Sequence, residues 1–184
     1  ILSLAMLLSF ASALSVSAET TLQTEVGADG KTYYLIGSAD DYLAFVEAAN
    51  ADLTINGKLT ADIDLEGKEV KTIGKIGRTE SASTPYTGTF DGNKHVIRKM
   101  TISANIGSSE TKKGLAMFAC LGDTAVIKDL GIENALIEPK YDQYGNIKIG
   151  VITAACYNAT VISNCYVRNS NIIITAKQKV QCVG

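Results

Sequence analysis

Asp62 and Asp64 stand two residues apart in Thr60-Ala61-Asp62-Ile63-Asp64-Leu65, an alternating run that predicts a strand with one buried face. Both carboxylates would leave the same face, a spacing that suits paired acid-base chemistry or a calcium ion. The plainer reading is a solvated face opposite Ile63 and Leu65. Asp91-Gly92-Asn93 adds two oxygen-bearing side chains, but Asp-Gly is first a turn signal, and so few ligands predict no metal there. His95 is the single histidine, which excludes a zinc motif built on two histidines in this segment.

Four cysteines, Cys120, Cys156, Cys165 and Cys182, lie toward the carboxyl end of the chain. Their separations lack the close pairs of structural zinc sites, so neither a metal nor another cofactor is expected. Cys120, Cys156 and Cys165 read as reduced interior residues, and reactive thiols need exposure beside positive charge. Matching Gly114 to Cys120 with Gly150 to Cys156 makes Cys120 and Cys156 equivalent, which leaves a bridge between them as the alternative. No catalytic residue is expected. The binding candidates are instead Tyr141 and Tyr144, in the insertion Glu138 to Asn146, and Tyr86, at the end of the loop from Ser81. Exposed tyrosines there could stack on sugar rings or peptides, with Asp62, Asp64 and Asp91 as polar companions.

These residues need a scaffold, and a repeated pattern suggests one. His95 to Ile102, Ala125 to Ile132 and Thr160 to Val167 share apolar positions, with leading isoleucines Ile97, Ile127 and Ile162 spaced 30 and 35 residues apart. Within each copy the apolar residues fall three and then two apart, so a corner must bend the chain between short strands. Asp129 and Asn164 suit a left-handed backbone there better than Lys99 does. Further corners are expected near Asn134 and Asn169. The fold predicted is all-β, a right-handed parallel β-helix in which Ile97, Ile127 and Ile162 stack in one column. A short capping helix over 39–49 would begin at the Ser38-x-x-Asp41 pattern.

Residues 1–18 are apolar, interrupted by serines, and end in Val16-Ser17-Ala18, the layout of a secretory signal peptide that has lost its basic start. A membrane anchor is the competing reading, though the stretch is short for spanning. The organisation expected is a signal segment over 1–18, an amino-terminal segment with the helix over 19–58, and repeats over 59–184. The repeats would be incomplete at their carboxyl end, making the chain a piece of something longer. The mature part should contain no membrane span. Its net charge of −2 gives no electrostatic footprint for nucleic acid.

The run Leu35 to Leu43, the rung Leu59 to Leu65, Ile73-Gly74, and Tyr86-Thr87-Gly88-Thr89-Phe90-Asp91-Gly92-Asn93 resemble the secreted bacterial surface proteins with GLUG repeats, as does Ile162 to Val167. Lys113-Gly114-Leu115-Ala116 and Ile149-Gly150-Val151-Ile152 depart from the family's Gly-Gly-Leu-Val-Gly loop. The resemblance implies a β-helical extracellular module with no defined catalytic residues. Some family members are adhesin-like, and others are attached to an immunoglobulin-cleaving peptidase. The expected function is therefore a non-catalytic cell-surface module whose partner is an extracellular glycan or a host or cell-surface protein. The alternatives are a polysaccharide lyase or glycosidase, or a spacer beside such a peptidase; fold analogy alone does not choose among them.

Overall fold

The computed structural model describes residues 22–77, 80–106, 114–141, 146–176 and 181–182. The signal segment expected over 1–18 lies outside the described residues. The chain enters through β1 (Thr24–Val26) and β2 (Thr32–Ile36), an antiparallel pair. Asp29 closes their turn, accepting from the Lys31 amide at 3.1 Å and the Tyr33 hydroxyl at 2.8 Å.

Helix α1 (Ala39–Ala51) starts where the sequence places it and runs two residues longer. Ser38 Oγ accepts from the Asp41 amide at 3.1 Å, and Asp41 Oδ2 accepts from the Gly37 amide at 3.1 Å, so two otherwise orphaned donors are satisfied. Tyr42, Phe45, Val46 and Ala49 form its buried stripe at helical spacing. Phe45 lies against Phe90 with centroids 5.5 Å apart. A Cβ on Gly57 would come within 2.7 Å of the Phe45 ring, so only glycine lets the helix settle this close to the sheet.

The strands that follow are short: β3 (Asn56–Leu59), β4 (Ile63–Asp64), β5 (Thr89–Asp91), β6 (Val96–Arg98), β7 (Thr101–Ile106), β8 (Gly114–Leu115), β9 (Val126–Lys128), β10 (Gly131–Glu133) and β11 (Leu136–Tyr141). After them come β12 (Asn146–Ile149), β13 (Val161–Ser163), β14 (Tyr166–Arg168), β15 (Asn171–Ile172), β16 (Thr175–Ala176) and β17 (Gln181–Cys182). The strand expected over Thr60 to Leu65 shrinks to Ile63–Asp64, because Thr60 leaves β3 with its amide bonded to the Ile36 carbonyl.

The expectation of an all-β right-handed parallel β-helix with a cap is overturned by the sheet topology. The strands divide among four separate sheets, ordered β1-β2-β3-β5-β9-β13, β14-β10-β6-β4, β15-β11-β16 (with β7 also on β11) and β17-β12-β8. The largest sheet mixes parallel pairs with the antiparallel β1–β2 hairpin, and Lys75 and Thr84 form a further antiparallel bridge. The helix supplies core residues of its own. The fold is strand-rich with mixed sheets and one α-helix.

The single isoleucine column fails as well. Ile97 pairs in register with Ile63 and Ile132, whereas Ile127 pairs with Phe90 and Ile162. His95 to Ile102 therefore lies beside the stretch from Gly131 to Ile137, not beside Ala125 to Ile132. Two successive strand-corner-strand pieces carry the same apolar spacing, so the sequence pattern can slide by one strand without penalty. The corners keep the true register: Lys99, Asn134 and Asn169 share φ of 51 to 55°, as do Asp129 and Asn164 at 51 and 52°.

The cysteines follow expectation in being free and, at Cys120, buried, and depart from it at Cys156. Cys120 is buried, Cys165 half-buried and Cys156 exposed, and all three are free. Leu121, not Cys120, bridges to Cys156, and Cys120 packs in a small cluster with Ile76 and Ala119. Burial pushes the Cys120 thiol up to about 11, and its Sγ donates to the Lys75 carbonyl at 3.3 Å. In a Cys182→Ser background, iodoacetamide should modify Cys156 first, Cys165 next, and Cys120 only on unfolding. Peptide mass mapping that finds Cys120 labelled at the rate of Cys156 would contradict this packing.

Candidate functional site

Asp62 and Asp64 sit on one flank of the β14-β10-β6-β4 sheet. Asp62 accepts from Arg98 Nη1 at 2.9 Å, the Val96 amide at 3.1 Å and His95 Nδ1 at 3.2 Å. The Arg98 hydrogen bond first, and then the other two donors, hold its carboxyl below the usual range. Asp64 accepts from Lys99 Nζ at 2.7 Å and the Glu66 amide at 2.8 Å, and is lowered first by Lys99. Asp91 belongs to the other large sheet, where it faces Lys128 at 2.9 Å and caps the Asn93 amide at 2.8 Å. Asp64 and Asp91 thus stand in different sheets.

Asp64 and Asp91 belong to rows of alternating charge running across the strands, and Asp62 touches the first of these through Arg98. Asp64, Arg98, Glu133 and Arg168 are register neighbours through β4, β6, β10 and β14. On the other sheet Glu25 bonds Lys58 at 2.6 Å, Lys58 stands beside Asp91, and Asp91 bonds Lys128. Glu133, 7% exposed, accepts from Tyr166 Oη at 3.0 Å, from Arg98 Nε at 3.2 Å and from Arg168. Burial works against its ionisation, yet these donors outweigh it and hold the carboxyl below the ordinary value. Opposite charges across a ladder fix register more than they add stability, because partly exposed pairs contribute little.

Such rows give the fold a pH signature. The lowered carboxyls of Asp29, Asp52, Asp62, Asp64 and Glu133 all favour the ionised form in the folded state. Their contribution is complete above the ordinary carboxylate values, about 4, and is lost as the pH falls through the lower folded values. The thermal midpoint should stay level from pH 7 to about 5 and drop below about 4. A midpoint that rises on acidification would refute the ion-pair assignment.

Of the tyrosines, Tyr86 is fully buried, stacks on Phe118 at 4.8 Å and donates to the Ile55 carbonyl at 2.8 Å; it is a core residue, not a loop contact. Tyr141 ends β11, in register with Ile106 and Ala176. Tyr144 lies outside the described residues.

Sequence reasoning missed a cleft of about 800 Å³ between the end of α1, the segment Glu69 to Lys75, and strands β7 and β8. Leu53, Val70, Ile102 and Leu115 supply its apolar lining. Asn50 organises one wall, donating to the Val46 and Thr72 carbonyls at 3.0 and 3.2 Å and accepting from the Gly74 amide at 3.1 Å. Glu47 pairs with Lys71 at 2.7 Å, and Glu69 accepts from Ser103 Oγ at 2.7 Å. Thr72 Oγ1 is buried without a hydrogen-bond partner. No sequence motif could reveal the cleft, since its walls come from segments far apart in the chain.

Among the described residues no helix is long and apolar enough to cross a membrane. Compared with known proteins, the chain matches no family model, no curated protein and no solved structure.

Proposed function

We propose that the chain is a non-catalytic binding module, exported or displayed at a cell surface, which holds an extracellular glycan or protein in the cleft beside α1. The observation that carries this reading is the preformed cleft of about 800 Å³ with an apolar lining and a polar rim, the usual character of a binding site. The non-catalytic part is supported by Asp62, Asp64 and Asp91, each tied to a neighbouring cation, with Asp64 and Asp91 in different sheets. An acid catalyst needs a carboxyl kept protonated near neutrality, and the downward shifts of Asp62 and Asp64 run the other way. The apolar stretch 1–18 and the resemblance to GLUG-repeat surface proteins support the location.

A glycan array and a pull-down from extracellular protein, each run with wild type and with Glu47→Lys, test the proposal. Glu47 and Lys71 are exposed at the cleft, so reversal should leave the fold intact and reduce bound signal about tenfold. Polysaccharide turnover without retained binding would overturn the proposal.

A further inference from the structure

Strand β7 is covered along one side and almost bare on the other. Its β11 side is in register throughout, from Thr101 opposite Leu136 to Ile106 opposite Tyr141. On the far side the Thr101 amide donates to the Lys68 carbonyl at 3.3 Å, and the Thr101 carbonyl accepts from the Val70 amide at 2.7 Å. There the cover ends, because the chain after Val70 leaves β7 and the Ile73 amide next bonds the Met117 carbonyl at 2.9 Å. The N–H and C=O of one strand residue leave on one side and those of the next on the other, so Ser103 and Asn105 aim theirs the way Thr101 does. Among the described residues no backbone group answers them. Ser103 lines the cleft between this edge and the segment Glu69 to Lys75, so the open backbone groups face into it.

The lining narrows the choice of occupant. Among the described residues none of its side chains is aromatic, so a sugar ring finds no face to stack on. Two lining charges of opposite sign have no ionic partner among the described residues: Glu69, whose carboxylate accepts from the neutral Ser103 hydroxyl, and Lys75. Glu69 stands beside Thr101, where β7 begins, while Lys75 adjoins Ile76, which packs against Gly114 at the start of β8. The two charges therefore mark different ends of the cleft. An extended peptide supplies what this arrangement lacks: backbone groups at strand spacing, aliphatic side chains, and a cation and a carboxylate set apart along its length.

We infer that the cleft receives an extended segment of another protein, laid along β7 as an added strand, with aliphatic side chains against Val70 and Leu115, a basic residue toward Glu69 and an acidic one toward Lys75. The inference rests on the cleft being the binding site and names polypeptide over glycan as its occupant.

The probe is a fluorescent blocked peptide, Lys-Val-Thr-Val-Thr-Val-Glu, titrated into the full chain and followed by anisotropy. Two further versions are N-methylated, one on its valines and one on its threonines. Saturable binding is expected, with one methylated version matching the parent and the other weaker by more than about tenfold, because only alternate amides of an added strand face β7. Ser103→Pro removes a cleft-facing N–H and no bond to β11, so it should weaken the parent peptide about tenfold, while Ser103→Ala binds like wild type. Lys75→Glu should weaken it about three- to fivefold, the scale of one cross-strand charge pair. Should Ser103→Pro fail to fold, the methylated peptides decide alone, since they leave the protein unchanged. Equal affinity of the two methylated peptides would overturn the inference. So would absence of saturable peptide binding beside a glycan that wild type retains and Glu47→Lys releases, an outcome that leaves the cleft standing as a binding site. Loss of both peptide and glycan binding would remove the cleft reading together with this one.

Discussion

Ile127→Asp should abolish cooperative unfolding or cost more than about 4 kcal/mol, whereas Ile162→Asp should cost about 1–2 kcal/mol. The two residues occupy the same place in successive strands, β9 and β13, and are direct register partners. Sequence gives no reason to expect different outcomes. The difference lies in cover: Ile127 is fully buried between Phe90 and Ile162, while Ile162 is 42% exposed. A carboxylate at 127 would lose its water and gain no cation, since the nearby Lys128 alternates to the other face and is engaged with Asp91. A carboxylate at 162 keeps much of its hydration. Chemical denaturation of both variants, followed by circular dichroism, tests the pair, and equal losses would mean that β13 is covered as thoroughly as β9.

The same contrast shows what could be read from the residues alone. The positions of β9, β10, β13 and β14 were legible because Ile127, Ile132, Ile162 and Val167 recur at 35 residues with Asp129 and Asn164 at equal corners. The strand at Ile97 is harder to place, because Ile97-Arg98-Lys99-Met100-Thr101-Ile102 matches either of two neighbouring pieces in apolar spacing. The preceding turn distinguishes the two. Gly92, Asn93 and Lys94 turn the chain between Phe90 and Ile97, the last two at φ of 49 and 66°, so that turn is longer than the one at Asp129. Gly92 also marks it, because a Cβ there would strike the Asp129 carbonyl and the Leu130 Cα of the adjacent strand. The hairpin of β1 and β2, which makes the largest sheet mixed, carries its signal in Asp29 and Gly30, an Asp-Gly turn in a segment without repeats.

The candidate site was less legible for a different reason. Asp62 and Asp64 were recognisable as a same-face pair, but their roles depend on Arg98 and Lys99, 35 or so residues later, and only register brings those cations alongside. Tyr86 reads as the end of a loop from Ser81, yet a bridge to Leu121 sets its ring inward against Phe118. The cleft depends on where the end of α1 comes to rest over Glu69 to Lys75, a packing outcome that no local pattern encodes.

That packing makes α1 a member of the core, and Phe90→Ala should show it by costing about 3–5 kcal/mol. Phe90 is fully buried and its ring contacts both Phe45 of α1, at 5.5 Å, and Phe118, edge-on at 5.8 Å. Truncation leaves a void that the β-strand backbone cannot close, because Phe90 is held in register by Gly57 on one side and Ile127 on the other. Phe45→Ala should destabilise by a similar amount, and the double variant should cost less than the sum of the two, with a coupling of about 0.5–1.5 kcal/mol for the aromatic pair. A helix that merely covered the sheet would melt on its own. With the pair intact, the helical signal and the strand signal should therefore fall at the same denaturant concentration, and in Phe45→Ala the two transitions should shift together. Separation of the helical transition from the rest in the wild-type chain would show that α1 folds as an independent cap and that the Phe45–Phe90 contact does not join it to the sheet.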